Sequence, residues 1–207
     1  MTKIFFVRHA QSDWKWKDDP SRPLTDEGLL DRAMVLEFLL EKTVDSFYSS
    51  PYVRAIDTIR PAAESRGKGI RTNIRLRERA SGRGPMTAEN LLRRWRDFSF
   101  AEAGGECLQS VQARNIECLE EILDKEEGRT VVIGTHGTAL STIWNFYDST
   151  IGIDDFLGLI DLMPMVLRFT FERHRAVRIS KELGIRKKYK GKDKMVEEAR
   201  EARSRGE

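Results

Sequence analysis

The sequence predicts an α/β protein in which a mostly parallel sheet lies between two layers of helices. Strand-like apolar runs alternate with helical segments along most of the chain, which is the order expected for parallel strands joined by crossover helices. Residues 4–7 and 130–135 are the clearest strands, because continuous apolar runs are typical of central strands buried on both faces. With 207 residues, the chain is long enough to fill one such three-layer αβα domain, which we expect at residues 1–180.

The first strand, residues 4–7, is followed by a polar loop and then by the first helix. Thr25 is a suitable N-cap, and the acidic Asp26 and Glu27 favour the positive end of a helix dipole. Apolar residues that follow at helical spacing are expected to form the buried stripe of this helix. They are Leu29, Ala33, Leu36 and Leu40.

Two shorter strands and a second helix complete the first half of the chain. Residues 45–49 and 70–76 are predicted to be strands, and residues 52–64 are predicted to be the helix between them. The inward face of this helix is expected to carry Ile56, Ile59 and Ala63. Because a helix connects the two strands, these segments extend the parallel sheet.

Residues 79–106 break the alternation of strands and helices. Glycine, proline and arginine surround one short helix, residues 88–98. We expect this segment to be a cap insertion that covers the cleft of the α/β domain. Its arginines, Arg93, Arg94 and Arg96, either face a ligand in that cleft or lie in solvent, and solvent is expected for at least one of them.

The second half of the domain begins with a long amphipathic helix, residues 106–126, and a buried strand, residues 130–135. A further helix is predicted from His136 to about residue 145. Residues 165–171 and 176–179 flank four polar residues, which predicts an antiparallel hairpin at the sheet edge. The core side of the long helix is expected to carry Leu108, Val111, Cys118, Ile122 and Leu123.

Residues 181–207 are rich in charge and poor in large apolar side chains. Such a segment buries too little apolar surface to offset its ordering entropy, so we expect an exposed helix or a disordered tail. The net charge of +3 is mild and lies largely in this tail, which argues against a nucleic-acid partner. Apolar runs are far shorter than a membrane span, so no membrane partner is expected.

No signal-peptide pattern follows Met1, so the expected location is the cytoplasm. Cys107 and Cys118 are placed on one helix about 16 Å apart, too far to form a disulfide. No carboxylate cluster, His-x-x-x-His pair or cysteine pair indicates a metal, and no Walker-type glycine-rich loop is present. We therefore expect no metal and no cofactor, and the sequence predicts no oligomeric state.

Two of the three histidines occupy equivalent places in the predicted sheet. His9 follows the strand at residues 4–7, and His136 follows the strand at residues 130–135. Ligands of open α/β sheets bind where parallel strands end, so both imidazoles are expected in one cleft. Arg8 precedes His9, and an arginine beside a histidine favours an anion over a metal as the ligand.

Four short segments carry the remaining chemistry of the chain. They are 8-RHAQS-12, 49-SSPYVRAIDT-58, 76-LRERASG-82 and 135-THG-137. In these segments, taken in order, the chain resembles the histidine phosphatase superfamily, in its phosphoglycerate-mutase-like group. The resemblance spans most of residues 3–171 and includes 23-PLTDEG-28.

The resemblance implies a role for each of five residues. His9 would be the nucleophile and would become a phosphohistidine. Arg8 and Arg54 would clamp the phosphoryl oxygens, and His136 would complete the pocket around the transferring group. Glu78 would donate a proton to the leaving group. The same resemblance extends the substrate-binding set to Arg8, Gln11, Lys15, Arg54, His136 and Gly137.

Two positions depart from the family pattern. Ala10 stands where the family usually has a glycine, and its methyl group narrows the approach to His9 without removing a catalytic group. Lys15 stands where the family often has an asparagine, so a charge replaces an amide at that position.

The chemistry of phosphoryl transfer agrees with these roles. It requires mainly positioning and charge stabilisation, which two guanidiniums supply as permanent, planar positive charge. Nearby arginines also lower the pKa of an imidazole, which keeps the nucleophile neutral. Glu78 has an alternative interpretation as a surface carboxylate paired with a neighbouring arginine, since Arg75, Arg77 and Arg79 surround it.

The leading hypothesis is a metal-independent phosphatase that hydrolyses a phosphomonoester through a phosphohistidine, with a small phosphorylated metabolite as its partner. The alternative is a cofactor-dependent phosphoglycerate mutase that uses the same histidine. Gly105 is 27 positions after Glu78, and this short insertion favours access of water and hydrolysis. A non-enzymatic phospho-ligand binder is disfavoured because all five catalytic positions hold competent residues. Trp14, Trp16 and Trp95 have two alternative interpretations. They contact an aromatic or sugar moiety of the substrate, or they pack within the protein.

Overall fold

The structure is a computed structural model in which residues 1–187 and 193–206 are described. The described residues form six strands: β1 (Thr2–Arg8), β2 (Ser46–Ser49), β3 (Ile70–Thr72), β4 (Thr130–Thr135), β5 (Leu162–Glu172) and β6 (Arg175–Arg186). They also form seven α-helices: α1 (Asp26–Leu40), α2 (Val53–Glu64), α3 (Ala88–Arg96), α4 (Leu108–Lys125), α5 (Gly137–Tyr147), α6 (Ile153–Leu159) and α7 (Asp193–Ser204).

The six strands form one sheet in the order β3-β2-β4-β1-β5-β6. β1 and β2 both pair in parallel with β4, and β3 pairs in parallel with β2. β5 is antiparallel to β1, and β6 is antiparallel to β5. The predicted sheet, mostly parallel with an antiparallel edge, is therefore confirmed. The non-consecutive neighbours require crossover connections, which the helices provide.

Helices cover both faces of the sheet, which explains why β1 is apolar throughout. Ile4 and Phe6 belong to one hydrophobic core, together with residues of α4 and α5. Phe5 and Val7 belong to a second core, together with residues of α1 and α2. Because successive side chains of a strand point to opposite faces, a strand between two layers must be apolar at every position.

The buried face of α1 differs from the predicted stripe. Leu29, Ala33 and Leu40 are exposed and Leu36 is half-buried, whereas the buried residues are Gly28, Val35 and Leu39. Thr25 does cap the helix, because its Oγ1 accepts the Gly28 N–H at 3.0 Å. The rotation of the helix is set by contact at Gly28, where an added Cβ would lie 2.1 Å from the carbonyl oxygen of Gln11.

Apolar residues occur on all sides of α1, so their periodicity did not reveal which side faces the sheet.

The strand predicted at residues 70–76 also needs correction, because β3 ends at Thr72 and a 3₁₀ turn covers Ile74–Leu76. Asn73 favours this turn, since its Oδ1 accepts the Arg75 N–H at 2.9 Å.

The C-terminal segment is ordered and partly buried where the structure describes it. β6 continues to Arg186, past the expected domain end at residue 180, and α7 packs against α3 and α6. The buried residues of α7 are Met195, Val196, Ala199 and Ala202. The expected helix does form, but the prediction that it is exposed is wrong, because these few apolar side chains share one helix face that docks on an apolar surface. Residues 188–192 and 207 lie outside the described part of the chain.

Of the described helices, none combines the length and the apolar character that crossing a membrane requires.

Candidate active site

Adjacent strand ends bring the two predicted histidines together. Arg8 is the last residue of β1 and pairs in register with Thr135, the last residue of β4. His9 and His136 follow these two residues directly, and their ring centroids lie 5.4 Å apart. Both side chains are buried. The two imidazoles are therefore neighbours, as predicted, but only His9 lines the cavity described below.

The tautomer of His9 follows from its hydrogen bond. Nδ1 lies 2.7 Å from the carbonyl oxygen of Ala10, and a carbonyl only accepts, so Nδ1 must donate. Nε2 therefore carries the lone pair of the neutral ring. Burial, assisted by the positive charges of Arg54 and Arg8, holds the pKa of His9 well below its usual value. A neutral imidazole with an available Nε2 is a competent nucleophile.

His136 is held from the opposite side by Ser50. Its Nε2 lies 2.8 Å from the buried hydroxyl of Ser50, and the ring of Tyr52 contacts it edge-on at 5.2 Å. Burial, with the charge of Arg54, lowers the pKa of His136 well below the usual value. Its Nδ1 is buried and has no hydrogen-bond partner among the described residues, and His136 is not among the residues that line the cavity around His9.

Arg8 and Arg54 place two buried guanidiniums beside His9. Arg8 Nη1 donates to the carbonyl oxygens of Leu159 at 2.5 Å and Leu162 at 3.1 Å. Arg54, in the first turn of α2, donates to the backbone oxygen of Asp19 at 2.6 Å and pairs with its carboxylate at 3.3 Å. Both arginines and His9 line one cavity. Their fixed positive charge suits an anion bound against His9.

Glu78 also lines this cavity, and its carboxylate is held by backbone donors. Its oxygens accept N–H groups from Arg79 at 2.7 Å, Thr138 at 3.0 Å and Ala139 at 3.2 Å. The latter two lie in the first turn of α5, where side-chain capping by His136 is absent. Glu78 thus caps α5 from a distant segment and is fixed at the positive end of that helix.

The alternative interpretation of Glu78 as a salt-bridged surface carboxylate is wrong. The three neighbouring arginines each pair with another carboxylate: Arg75 with Glu121 at 2.5 Å, Arg77 with Glu106 at 2.8 Å, and Arg79 with Glu102 at 3.2 Å. Glu78 is half-buried in the cavity wall instead.

The remaining predicted binding residues are not all at the cavity. Gly137 lines it, and a Cβ there would contact the Arg8 guanidinium at 3.3 Å. Gln11 lies behind the site, where its Oε1 accepts the Thr25 hydroxyl at 2.8 Å. Lys15 is exposed, with Nζ 5.8 Å from the centre of the Trp14 ring. Neither Gln11 nor Lys15 lines the cavity, so the geometry gives no support to their predicted substrate contacts.

The cap segment contributes residues whose role the sequence left open or missed. Arg94 is buried and lines the cavity, whereas Arg93 and Arg96 are exposed. Burial, with the nearby charge of Arg79, lowers the pKa of Arg94 to about 10, and Glu102 forms an ion pair with it. The spacing of Arg94 from the apolar Leu91 is the one sequence signal for its inward orientation.

Asp19 and Arg22 also line the cavity and carried no sequence signal. Arg22 and Asp19 form an ion pair at 2.8 Å in the loop before α1. Trp95 lines the cavity, whereas Trp14 and Trp16 are exposed. Within the described ranges, no group of three or more His, Cys, Asp or Glu side chains is arranged to hold a metal ion.

Comparison with known sequences identifies relatives of this chain. A sequence model of the histidine phosphatase superfamily (branch 1) matches residues 4–156. Phosphoserine phosphatase 1 from Hydrogenobacter thermophilus is 27% identical over 172 residues, covering 70% of this chain and 82% of that protein. Phosphoglycerate mutase-like protein 4 from Arabidopsis thaliana is 30% identical over 159 residues, covering 69% of each chain.

Solved structures share the same fold. YhfR from Bacillus stearothermophilus superposes with a TM-score of 0.75 at 23% identity, covering 88% of this chain and 96% of that one. Phosphoserine phosphatase from Entamoeba histolytica, in complex with 3-phosphoglyceric acid, superposes with a TM-score of 0.71 at 19% identity. The match covers 91% of this chain and 98% of that one. A mycobacterial glucosyl-3-phosphoglycerate phosphatase in complex with inorganic phosphate superposes with a TM-score of 0.68 at 21% identity. The match covers 87% of this chain and 95% of that one.

Proposed function

This chain belongs to the histidine phosphatase superfamily, and on that basis we propose that it is a metal-independent phosphatase that hydrolyses a phosphomonoester through a phosphohistidine at His9. The phosphatases among its relatives and structural neighbours support this activity. The observation that carries the proposal is the hydrogen bond from His9 Nδ1 to Ala10, which leaves Nε2 unprotonated beside two buried arginines.

In the first step, His9 Nε2 attacks the phosphorus atom of the substrate. The P–N bond forms as the bond from phosphorus to the leaving oxygen breaks. Arg8 and Arg54 stabilise the negative charge on the three equatorial oxygens. The protonated carboxyl of Glu78 gives its proton to the departing oxygen, so the alcohol leaves neutral. Glu78 becomes the carboxylate that three backbone N–H groups stabilise.

In the second step, water hydrolyses the phosphohistidine. The Glu78 carboxylate accepts a proton from the water as its oxygen attacks phosphorus, and the P–N bond breaks. Inorganic phosphate leaves, and His9 returns to the neutral tautomer. The hydrogen bonds from the first turn of α5 keep Glu78 in place through both steps.

Trapping the covalent intermediate tests this proposal. Protein quenched during turnover of a ³²P-labelled ester should carry acid-labile, base-stable phosphate, and His9→Ala should carry none and lose turnover. His174→Ala, at an exposed position in the β5–β6 turn, is the matched control and should behave as wild type. Retention of turnover by His9→Ala would show that another group is the nucleophile.

The proposed mechanism also makes activity independent of divalent cations. Arginines supply the positive charge that a metal supplies in a metallophosphatase. Turnover in EDTA should therefore equal turnover without it. Loss of activity in EDTA, with recovery on addition of a divalent cation, would contradict the mechanism.

A phosphoglycerate mutase is the second candidate, because the Arabidopsis relative carries that description at 30% identity. A mutase and a phosphatase differ in the acceptor of the phosphoryl group from His9. Incubation with labelled 3-phosphoglycerate separates them, since a phosphatase releases labelled inorganic phosphate and a mutase returns the label to phosphoglycerate. We expect release of inorganic phosphate.

A further inference from the structure

The cavity lining combines two chemically different groups of side chains. One group is His9 with the guanidiniums of Arg8 and Arg54. The other is apolar, and six of its side chains are named here the apolar wall: Met86, Leu91, Trp95, Phe156, Ile160 and Met195. A phosphoryl group bound at His9 therefore shares the cavity with a surface that favours hydrocarbon over water.

The apolar wall is built by three separate parts of the chain. The cap segment, α6 with the residue after it, and α7 each contribute to it. Five of its members belong to a hydrophobic cluster that is separate from the two cores on the sheet. Trp95 and Phe156 lie side by side in this cluster, with ring centroids 5.5 Å apart. Packing within this cluster holds these five side chains of the apolar wall in place without a ligand.

Met86 does not belong to that cluster. Its side chain is 36% exposed, yet it lines the cavity. Met86 therefore adds an exposed apolar side chain to the lining of the cavity.

The charged groups near the apolar wall are already paired within the protein. Arg79 and Arg94 share the carboxylate of Glu102, and Arg79 also donates to the backbone oxygen of Glu106 at 3.1 Å. A second acidic group on a substrate would have to compete with Glu102 for these donors. The apolar side chains of the wall offer no charged partner to a second acidic group, so the wall itself suits an uncharged leaving group.

We propose that the apolar wall is a leaving-group subsite, and that the substrates are phosphomonoesters of apolar alcohols or phenols. This inference rests on the proposed phosphatase function and specifies its substrate class. Ile160 and Met195 lie beyond the region matched by the superfamily model, so this subsite depends on the C-terminal part of this chain.

A series of n-alkyl phosphates tests the subsite. Ethyl, butyl and hexyl phosphate have leaving alcohols of nearly equal basicity, so differences in kcat/KM report contact with the alkyl chain. Each added methylene that is buried should raise kcat/KM about fourfold. Hexyl phosphate should also exceed O-phosphoserine and 3-phosphoglycerate, which carry a carboxylate.

Three methionine variants locate the contact. Met86→Gln and Met195→Gln preserve side-chain length but make the wall polar, so each should lower the ratio of hexyl to ethyl phosphate kcat/KM severalfold. Met34→Gln, at an exposed position on α1, is the matched control and should keep the wild-type ratio. Thermal midpoints measured beside the kinetics show that α7 remains docked.

The outcomes separate this inference from the proposed function. A flat dependence on chain length, a preference for O-phosphoserine or 3-phosphoglycerate, or a wild-type ratio in both wall variants would overturn the subsite while phosphohistidine still forms. Absence of both phosphohistidine and hydrolysis for every ester would overturn the phosphatase function, and the subsite with it.

Discussion

Thr58 connects the segment that carries His9 with the helix that carries Arg54. Its hydroxyl donates to the Arg54 carbonyl oxygen at 2.7 Å and accepts the Ala10 N–H at 3.0 Å. The carbonyl oxygen of Ala10 in turn accepts His9 Nδ1–H. One hydroxyl satisfies both bonds, because it has one proton and two lone pairs. Thr58 therefore positions the backbone of Ala10, whose carbonyl oxygen sets the orientation of the His9 ring.

Replacement of this hydroxyl should slow catalysis more than it weakens substrate binding. Thr58→Val keeps the side-chain shape but leaves the buried Ala10 N–H without an acceptor, which costs about 1–3 kcal/mol. We expect kcat to fall about tenfold with little change in KM, since a displaced ring costs catalytic geometry. Thr58→Ser should restore kcat. A lower thermal midpoint with normal kcat would show that Thr58 is only structural.

Glu78 caps α5 and is also the proposed proton donor. The dependence of kcat/KM on the basicity of the leaving group separates these two roles. Glu78→Gln should lower kcat/KM for alkyl phosphates by roughly 100- to 10,000-fold, because a strongly basic leaving oxygen needs the proton. p-Nitrophenyl phosphate should be affected far less. Glu121→Gln, which changes an exposed carboxylate, is the control. Equal losses on both substrate types would identify Glu78 as a structural cap.

At the scale of secondary-structure elements, α7 packs against the cap segment through α3 and thereby ties the C-terminal part of the chain to it. Val196 and Ala199 are almost fully buried against residues of α3 and α6. Arg200 and Arg203 reinforce the docking, since they pair with Asp161 at 2.7 Å and Asp154 at 2.8 Å. These pairs are partly exposed and contribute little by themselves, so apolar burial is the main stabilising contribution.

A charge introduced into this helix face should destabilise the protein. Val196→Asp places an unpaired carboxylate among apolar groups, and we expect a loss of about 3 kcal/mol in the free energy of unfolding. Glu197→Gln changes the exposed neighbour and should leave stability within about 0.5 kcal/mol of wild type. Urea denaturation measures both values. Equal stability of the two variants would mean that α7 does not dock in solution.

At the scale of the whole molecule, the two active-site histidines couple catalysis to stability. Burial and neighbouring arginines keep the pKa of His9 and of His136 far below 6.5 in the folded protein. The unfolded chain binds protons on these residues below about pH 6.5. Protonation therefore favours the unfolded state, and the free energy of unfolding must fall as the pH falls below that value.

This coupling predicts a stability slope in mildly acidic solution. Between about pH 6.5 and 5, the slope should approach about 2.7 kcal/mol per pH unit, because the unfolded state takes up two more protons. His9→Asn or His136→Asn should each remove about half of it. Urea denaturation at several pH values measures the slope. Wild-type slopes in both active-site variants would contradict the prediction.

Local pattern was sufficient for much of the fold and for the centre of the site. The apolar run at residues 130–135 became β4 with the same bounds, and Thr25 caps α1 as predicted. Arg8 and His9 lie at the end of β1 because a continuous apolar run ends there. Strand ends in a parallel sheet share one edge, so the partnership with His136 could also be predicted.

Other features depended on contacts between segments that are distant along the chain. Glu78 caps α5 through Thr138 and Ala139, sixty and more positions away. Arg79 and Arg94 face the cavity because they share Glu102. No spacing in the sequence encodes these partners, since side-chain type at one position does not specify which distant group will lie beside it.

The sequence by itself determined most of the order of strands and helices and the placement of the Arg8–His9 pair, because periodicity and residue type act locally. It predicted no helix at α6. Only the tertiary structure decided which face of α1 is buried and that the charged C-terminal segment docks as α7. Both outcomes depend on the fit between two surfaces: Gly28 against the Gln11 backbone, and the narrow apolar face of α7 against α3 and α6. Packing free energy is a property of the pair of surfaces, so neither surface alone reveals it.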